Sequence, residues 1–262
     1  AMQWVNGHLA ILAADDQFLI LDDQKNLLSQ LENISADQLI AYGNYLLAID
    51  QSGQELHWVD VTAPKRTQVI AHWPMSLNAW RGRPAKALGK ILLGNGHALT
   101  VNAGIAQQQT YSAKQSADKT LGLIHKLAVN QGEIFSAADN YGAVSYAPES
   151  TGYAQEIYPA GGFKAKATDL VVDNQYRYIL QPDHARVIAL RKSDNYMRTL
   201  FSDQPFVGVA QSREYIISAS GGDLFLASKD NHASVHSLTL SQVDAISHVM
   251  ASGDQAVVLT QS

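Results

Sequence analysis

Carboxylates and imidazoles recur along this chain in the short polar breaks between apolar runs. In order these are Asp15-Asp16, Asp50, Asn95 with His97, Asp139-Asn140, Asp183-His184 and Asp223. Gathered on one face, they would offer hard oxygen ligands to a cation or a general acid/base pair to a substrate. The same residue types are what hairpin turns require, because Asp, Asn and Gly tolerate positive φ or bond their own backbone. Turn chemistry alone therefore accounts for them, and no catalytic residue is assigned. Asp50, His97, Asp139, Asp183, His184 and Asp223 stand as candidate binding residues.

A second candidate is the stretch Pro74-Met75-Ser76-Leu77-Asn78-Ala79-Trp80-Arg81-Gly82-Arg83-Pro84, which has no strand period. Trp80, Arg81 and Arg83 are of the types enriched at binding hot spots; the plainer reading is a connector with Trp80 tucked into the core. His232-Ala233-Ser234-Val235-His236 has the i, i+4 spacing of a helical metal pair. On a strand the two rings stand about 13 Å apart at roughly 3.3 Å per residue, and the segment reads as a loop entering a strand. Asp139-Asn140-Tyr141-Gly142 resembles part of a calcium loop without its bidentate Glu, so a turn is expected. No serine nucleophile elbow, phosphate-binding glycine loop, HExxH or EF-hand pattern occurs. Neither a metal nor a cofactor is expected.

The elements that must position these residues show themselves as a repeat. A polar or Gly turn, an apolar run and a small residue recur as Asn6-Gly7-His8-Leu9-Ala10-Ile11-Leu12-Ala13, Gly43-Asn44-Tyr45-Leu46-Leu47-Ala48 and Gly89-Lys90-Ile91-Leu92-Leu93-Gly94. The copies continue as Gln131-Gly132-Glu133-Ile134-Phe135-Ser136, Asn174-Gln175-Tyr176-Arg177-Tyr178-Ile179-Leu180, Arg213-Glu214-Tyr215-Ile216-Ile217-Ser218 and Asp254-Gln255-Ala256-Val257-Val258-Leu259. With Leu12, Leu47, Leu92, Phe135, Ile179, Ile217 and Val258 as equivalents, the steps are about 35, 45, 43, 44, 38 and 41 residues, near one blade of a propeller. Between copies lie further short strands bounded by turn residues. Examples are Phe18–Leu21 with Leu27–Leu31, Glu55–Asp60 with Gln68–Trp73, and Arg186–Leu190 with Met197–Phe201. Four such strands per unit are what a blade needs. The expectation is one all-β domain over residues 1–262, a seven-bladed β-propeller of four-stranded antiparallel blades, six full repeats and a partial one.

The unit from Gly43 to Trp73, GNYLLAIDQSGQELHWVDVTAPKRTQVIAHW, resembles the LVIVD repeat of bacterial β-propellers. An apolar strand, a Gly-containing turn, a strand ending in Asp-Val, a Pro turn and a further strand follow in that family's order. The other units are LVIVD-like or WD40-like in outline. The resemblance implies the fold; the family has no common activity to transfer. The seventh unit stops after two strands, while Met2 to Asn33 already reads as a full blade. Flanking residues absent from this chain, completion by another segment or partner, and a six-bladed ring with an appended hairpin are the alternatives.

Charge and composition exclude several functions. Charged residues make up 16% of the chain, against roughly 25% in typical soluble domains. The net charge is −5 with no basic block, so the phosphate-neutralising footprint of a nucleic-acid binder is missing. Without cysteine there are no disulfides, Cys-ligated zinc, iron–sulfur clusters or thiol nucleophiles. No run is long enough to span a bilayer. Ala1-Met2 reads as a remnant ahead of a chosen start, so a signal peptide upstream would not be visible. A Cys-free, Gln- and Ser-rich surface fits the bacterial periplasm or exterior. Three functions remain: a non-enzymatic module docking a protein partner or ligand on one propeller face, a hydrolase or lyase with its Asp/His site at the channel mouth, and a sensor domain of a longer protein.

Overall fold

The computed structural model describes residues 1–13, 16–50, 55–74, 85–87, 90–92, 97–102, 105–110, 124–131, 133–138, 142–146, 155–156, 165–233, 235–241 and 243–261. They form antiparallel sheets in chain order. Sheet 1 runs Met2–Val5, His8–Leu12, Phe18–Leu21, Leu27–Leu31, and sheet 2 runs Gln38–Tyr42, Tyr45–Asp50, Glu55–Asp60, Gln68–Pro74. Sheet 3 is Ala85–Ala87, Lys90–Leu92, His97–Asn102, Ile105–Thr110, and sheet 4 is Ile124–Asn130, Glu133–Ala138, Gly142–Tyr146, Gln155–Glu156. Sheet 5 holds Asp169–Val172, Tyr176–Gln181, Arg186–Arg191, Met197–Ser202, and sheet 6 holds Val209–Gln211, Tyr215–Ser220, Asp223–Ser228, Val235–Thr239. Sheet 7 is the hairpin Ala245–Ser252, Gln255–Gln261. Helical structure among the described residues is limited to the 3₁₀ turns Pro64–Arg66 and Pro182–His184.

All seven apolar copies fall on the second strand of a sheet. The reason is burial on both sides. In Tyr45–Asp50 every residue after Tyr45 is buried, so the strand reads as a continuous apolar run rather than an alternation. Leu46 and Ala48 pack against Ala10, Phe18 and Ile20 of sheet 1, while Leu47 and Ile49 pack with Leu56, Trp58 and Ile91 toward sheet 3. The same two-sided stacking joins sheets 4 and 5 through Phe135, Leu170, Ile179 and Ile188. Sheets 5 and 6 meet at Tyr178, Val187, Phe201 and Ile216, and sheets 6 and 7 at Ile217, Ala219, Ile246 and Val249. In each of these stacks the apolar face of one sheet is covered by its neighbour. A fully buried Leu, Ile or Phe in such a stack contributes about 1.5–3 kcal/mol.

Turn chemistry sets the register. Gly43-Asn44 joins Tyr42 to its partner Tyr45, and Gly43 has φ +60°, which a two-residue hairpin with glycine first requires. The first strands of successive sheets touch one another from Met2–Val5 round to Ala245–Ser252. The protein is therefore a β-propeller of four-stranded antiparallel blades, with those first strands around the axis. Of the seven expected units, six carry four strands and the last is a hairpin. The expectation of seven blades is corrected to that extent: the described residues do not show a seventh four-stranded blade. Met2–Val5 pairs with His8–Leu12 inside sheet 1 and so does not complete sheet 7.

Candidate functional site

The first strands bring distant parts of the chain to the axis. Ala1, Met2, Asp37, Gln38, Leu39, Lys126, Ser247, His248 and Leu259 line a cavity of about 330 Å³ there. Sheets 1, 2, 4 and 7 all contribute, near the chain's entry into their first strands. Gln38 lines this cavity, while its Oε1 is buried away from the accessible space and finds no hydrogen-bond partner among the described residues. An acceptor in that state costs free energy until a donor reaches it.

Lys126 is anchored at its inner end. Its Nζ lies 2.5 Å from Asp169 Oδ1, with the two side chains 18% and 7% exposed. Asp169 also accepts the backbone N–H of Val209 at 2.9 Å and of Leu170 at 2.8 Å. One buried carboxylate thus ties the first strands of sheets 4, 5 and 6 together. Between sheets 5 and 6, the Tyr178 hydroxyl donates to Asp173 Oδ2 at 3.0 Å and lies 3.2 Å from Nε2 of buried His232. Burial first, then the Asp173 charge, raises the Tyr178 pKa far above its ordinary value, so the phenol stays protonated and holds the blades together.

The candidates named from sequence that are described occupy equivalent places in their sheets. Asp50 ends the second strand of sheet 2 and is buried. Asp183 and His184 sit exposed on the 3₁₀ turn between the second and third strands of sheet 5. Asp223 opens the third strand of sheet 6 and accepts the Thr239 hydroxyl at 2.6 Å. His97 opens the third strand of sheet 3. These are second-to-third-strand connections, as expected, and Asp223 is tied to the outer strand of its own sheet. Asp139, Trp80, Arg81 and Arg83 lie outside the described residues. His232 faces Tyr178 whereas His236 is exposed on the outermost strand of sheet 6, so the pair does not act as a helical metal motif.

Sequence reasoning passed over Lys126, Asp169 and a group beside Asp50. In that group Glu55 and His57 stand on the third strand of sheet 2, and His72 lies directly across from His57 on the fourth. Burial, then the neighbouring His72, lowers the His57 pKa, with Glu55 and Asp50 pulling the other way. Only a Glu-x-His on one strand and a His on the next hinted at it.

No protein-family model matches the chain, and no curated protein matches its sequence. Solved structures do match. Streptogramin B lyase superposes with a TM-score of 0.72 at 9% identity, over 95% of this chain and 86% of that one. BamB from Moraxella catarrhalis gives 0.60 at 12% identity, over 99% and 79%. PorZ, a bacterial surface component of the type-IX secretion system of Porphyromonas gingivalis, gives 0.64 at 11% identity, over 98% of this chain and 35% of that one. At these identities the likeness is one of fold. No helix among the described residues is long and apolar enough to cross a membrane.

Proposed function

We propose that the chain is a non-enzymatic binding module of the bacterial cell envelope that receives a polar group of a protein partner or ligand at the axial cavity. The observation that carries this reading is the cavity itself. Its volume of about 330 Å³ is at the small end of ligand pockets, and its wall mixes Met2, Leu39 and Leu259 with Asp37, Gln38, Lys126, Ser247 and His248. Rigid walls from four sheets favour docking, since little side-chain order has to be gained on binding. The likeness of fold to PorZ, together with the Cys-free and lightly charged surface, supports an envelope setting.

The test is site-specific photocrosslinking in the producing cells. A photoreactive phenylalanine analogue replaces Ser247 at the cavity or Tyr196, which is 61% exposed just before the outermost strand of sheet 5. Capture of one species from position 247 and not from 196 is expected. Equal capture at both, or none from 247, overturns the assignment of the cavity as the binding point.

A further inference from the structure

We propose that Glu55, His57 and His72 form a binding site for a divalent transition-metal ion of the zinc class, on the face of sheet 2 that looks toward sheet 1. The geometry follows from strand alternation. Leu56 and Trp58 point toward sheet 3, which sends Glu55 and His57, two residues apart, to the opposite face. His72 is the cross-strand partner of His57, and such partners have Cβ atoms about 4.5–5.5 Å apart. The two rings stack with centroids 5.1 Å apart.

Glu55 Oε2 reaches both imidazoles, 3.0 Å from His72 Nε2 and 3.8 Å from His57 Nε2. One ligand atom from each of the three residues lies within 4.8 Å of the others. A tetrahedral ion with bonds of about 2.0–2.1 Å sets its ligands roughly 3.3 Å apart, a value between the two measured separations. Two imidazole nitrogens and one carboxylate oxygen are a ligand set that binds zinc and leaves coordination positions open.

A surface ion pair explains only part of the arrangement. Glu55 and a protonated His72 would pair without help, and both are about half exposed. His57 is different: its side chain is 12% exposed, and its buried Nε2 has no hydrogen-bond partner among the described residues. At 3.8 Å the Glu55 oxygen is beyond hydrogen-bond reach. A metal ion would supply what that nitrogen lacks. Asp50, buried at the end of the adjoining strand, adds negative charge nearby. The half-exposed side of Glu55 and His72 provides the entry path.

The experiment titrates Zn²⁺ into the tag-free chain by calorimetry and Co²⁺ by visible absorption, whose d–d band reports coordination number. Wild-type protein is expected to take up one equivalent at micromolar affinity or tighter, with a cobalt band of four- or five-coordinate strength. His72→Ala and Glu55→Gln, both at half-exposed positions, should keep the wild-type circular dichroism spectrum and lose at least about tenfold in affinity. His236→Ala, an exposed histidine on sheet 6, should bind like wild type. Failure to bind at about 100 μM, where even weak specific sites fill, overturns the proposal. So does affinity unchanged in both the His72 and Glu55 variants, because the ion would then sit elsewhere.

Discussion

Replacing Asp169 by Asn should destabilise the propeller more than most single substitutions away from its apolar core. The carboxylate is 7% exposed, holds Lys126 at 2.5 Å and accepts two backbone N–H groups, at 2.8 and 2.9 Å. Asparagine keeps one oxygen but turns an NH₂ toward either Lys126 or a backbone donor, so at least one charge-assisted bond of about 1.5–3 kcal/mol is lost. Lys126 is then left as a largely buried cation without this partner, and removing one member of a buried pair costs about 3–5 kcal/mol in all. Lys126 lines the axial cavity and can swing its ammonium into it, which places the expected loss near the lower end, about 3 kcal/mol. Lys126→Met leaves the carboxylate with its two N–H donors and should cost less. In that background Asp169→Asn should cost about 1–2 kcal/mol less than in wild type, the coupling expected of contacting residues. Urea unfolding followed by circular dichroism and by tryptophan fluorescence measures both effects, with coincident curves and unchanged slope as the check on two-state behaviour. A loss within about 0.5 kcal/mol of zero, or equal losses in the two backgrounds, would show that this carboxylate does not tie the inner strands together.

Two further tests address the turns. Gly43→Ala meets no atom within 4 Å but inherits φ +60°, a cost of about 1–2 kcal/mol. Gly222→Ala has no such backbone problem, yet its Cβ would fall 2.6 Å from the Val243 carbonyl oxygen, so a backbone shift costing about 1–3 kcal/mol is expected. Thermal melts should put both below wild type and Gly222→Ala no higher than Gly43→Ala; a neutral Gly222 variant would contradict the close approach. Asp194 takes two hydrogen bonds from Arg191, at 2.9 and 2.7 Å, and one from the Tyr196 N–H. The Arg191 side-chain bonds, then the Tyr196 N–H, lower its pKa to about 2. The sign follows from linkage: a carboxyl depressed in the folded state stabilises above its unfolded pKa, and that stabilisation disappears as pH falls toward about 2. Carboxyl-carbon NMR should find the Asp194 midpoint there, and Arg191→Gln should raise it; an unmoved midpoint would remove Arg191 as the cause.

What the sequence could announce, and what it could not, divides along the difference between burial and register. The second strands are legible because both faces are covered, so Leu46, Leu47, Ala48 and Ile49 are all apolar whichever way they point. Outer strands such as Met197–Ser202, buried only at Leu200 and Phe201, leave a fainter trace. Asp50 and Asp223 were visible for turn reasons, and turn chemistry is most of what the structure gives Asp223. Asp169 binds a backbone N–H 40 residues away, a neighbour that exists only once two blades are stacked. The Glu55, His57 and His72 group depends on finer pairing still. Gln68–Pro74 slips its register against Glu55–Asp60 between Trp58 and Val59, and a shift of one residue changes which face every later side chain takes. Counting strictly from the Asp60–Gln68 pair would set His57 opposite Ala71; the bulge puts His72 there instead. The chemistry proposed for that face therefore rests on one irregularity in one ladder. Straightening it would turn Ala71 from the face of Trp58 to that of His57 and separate the two rings.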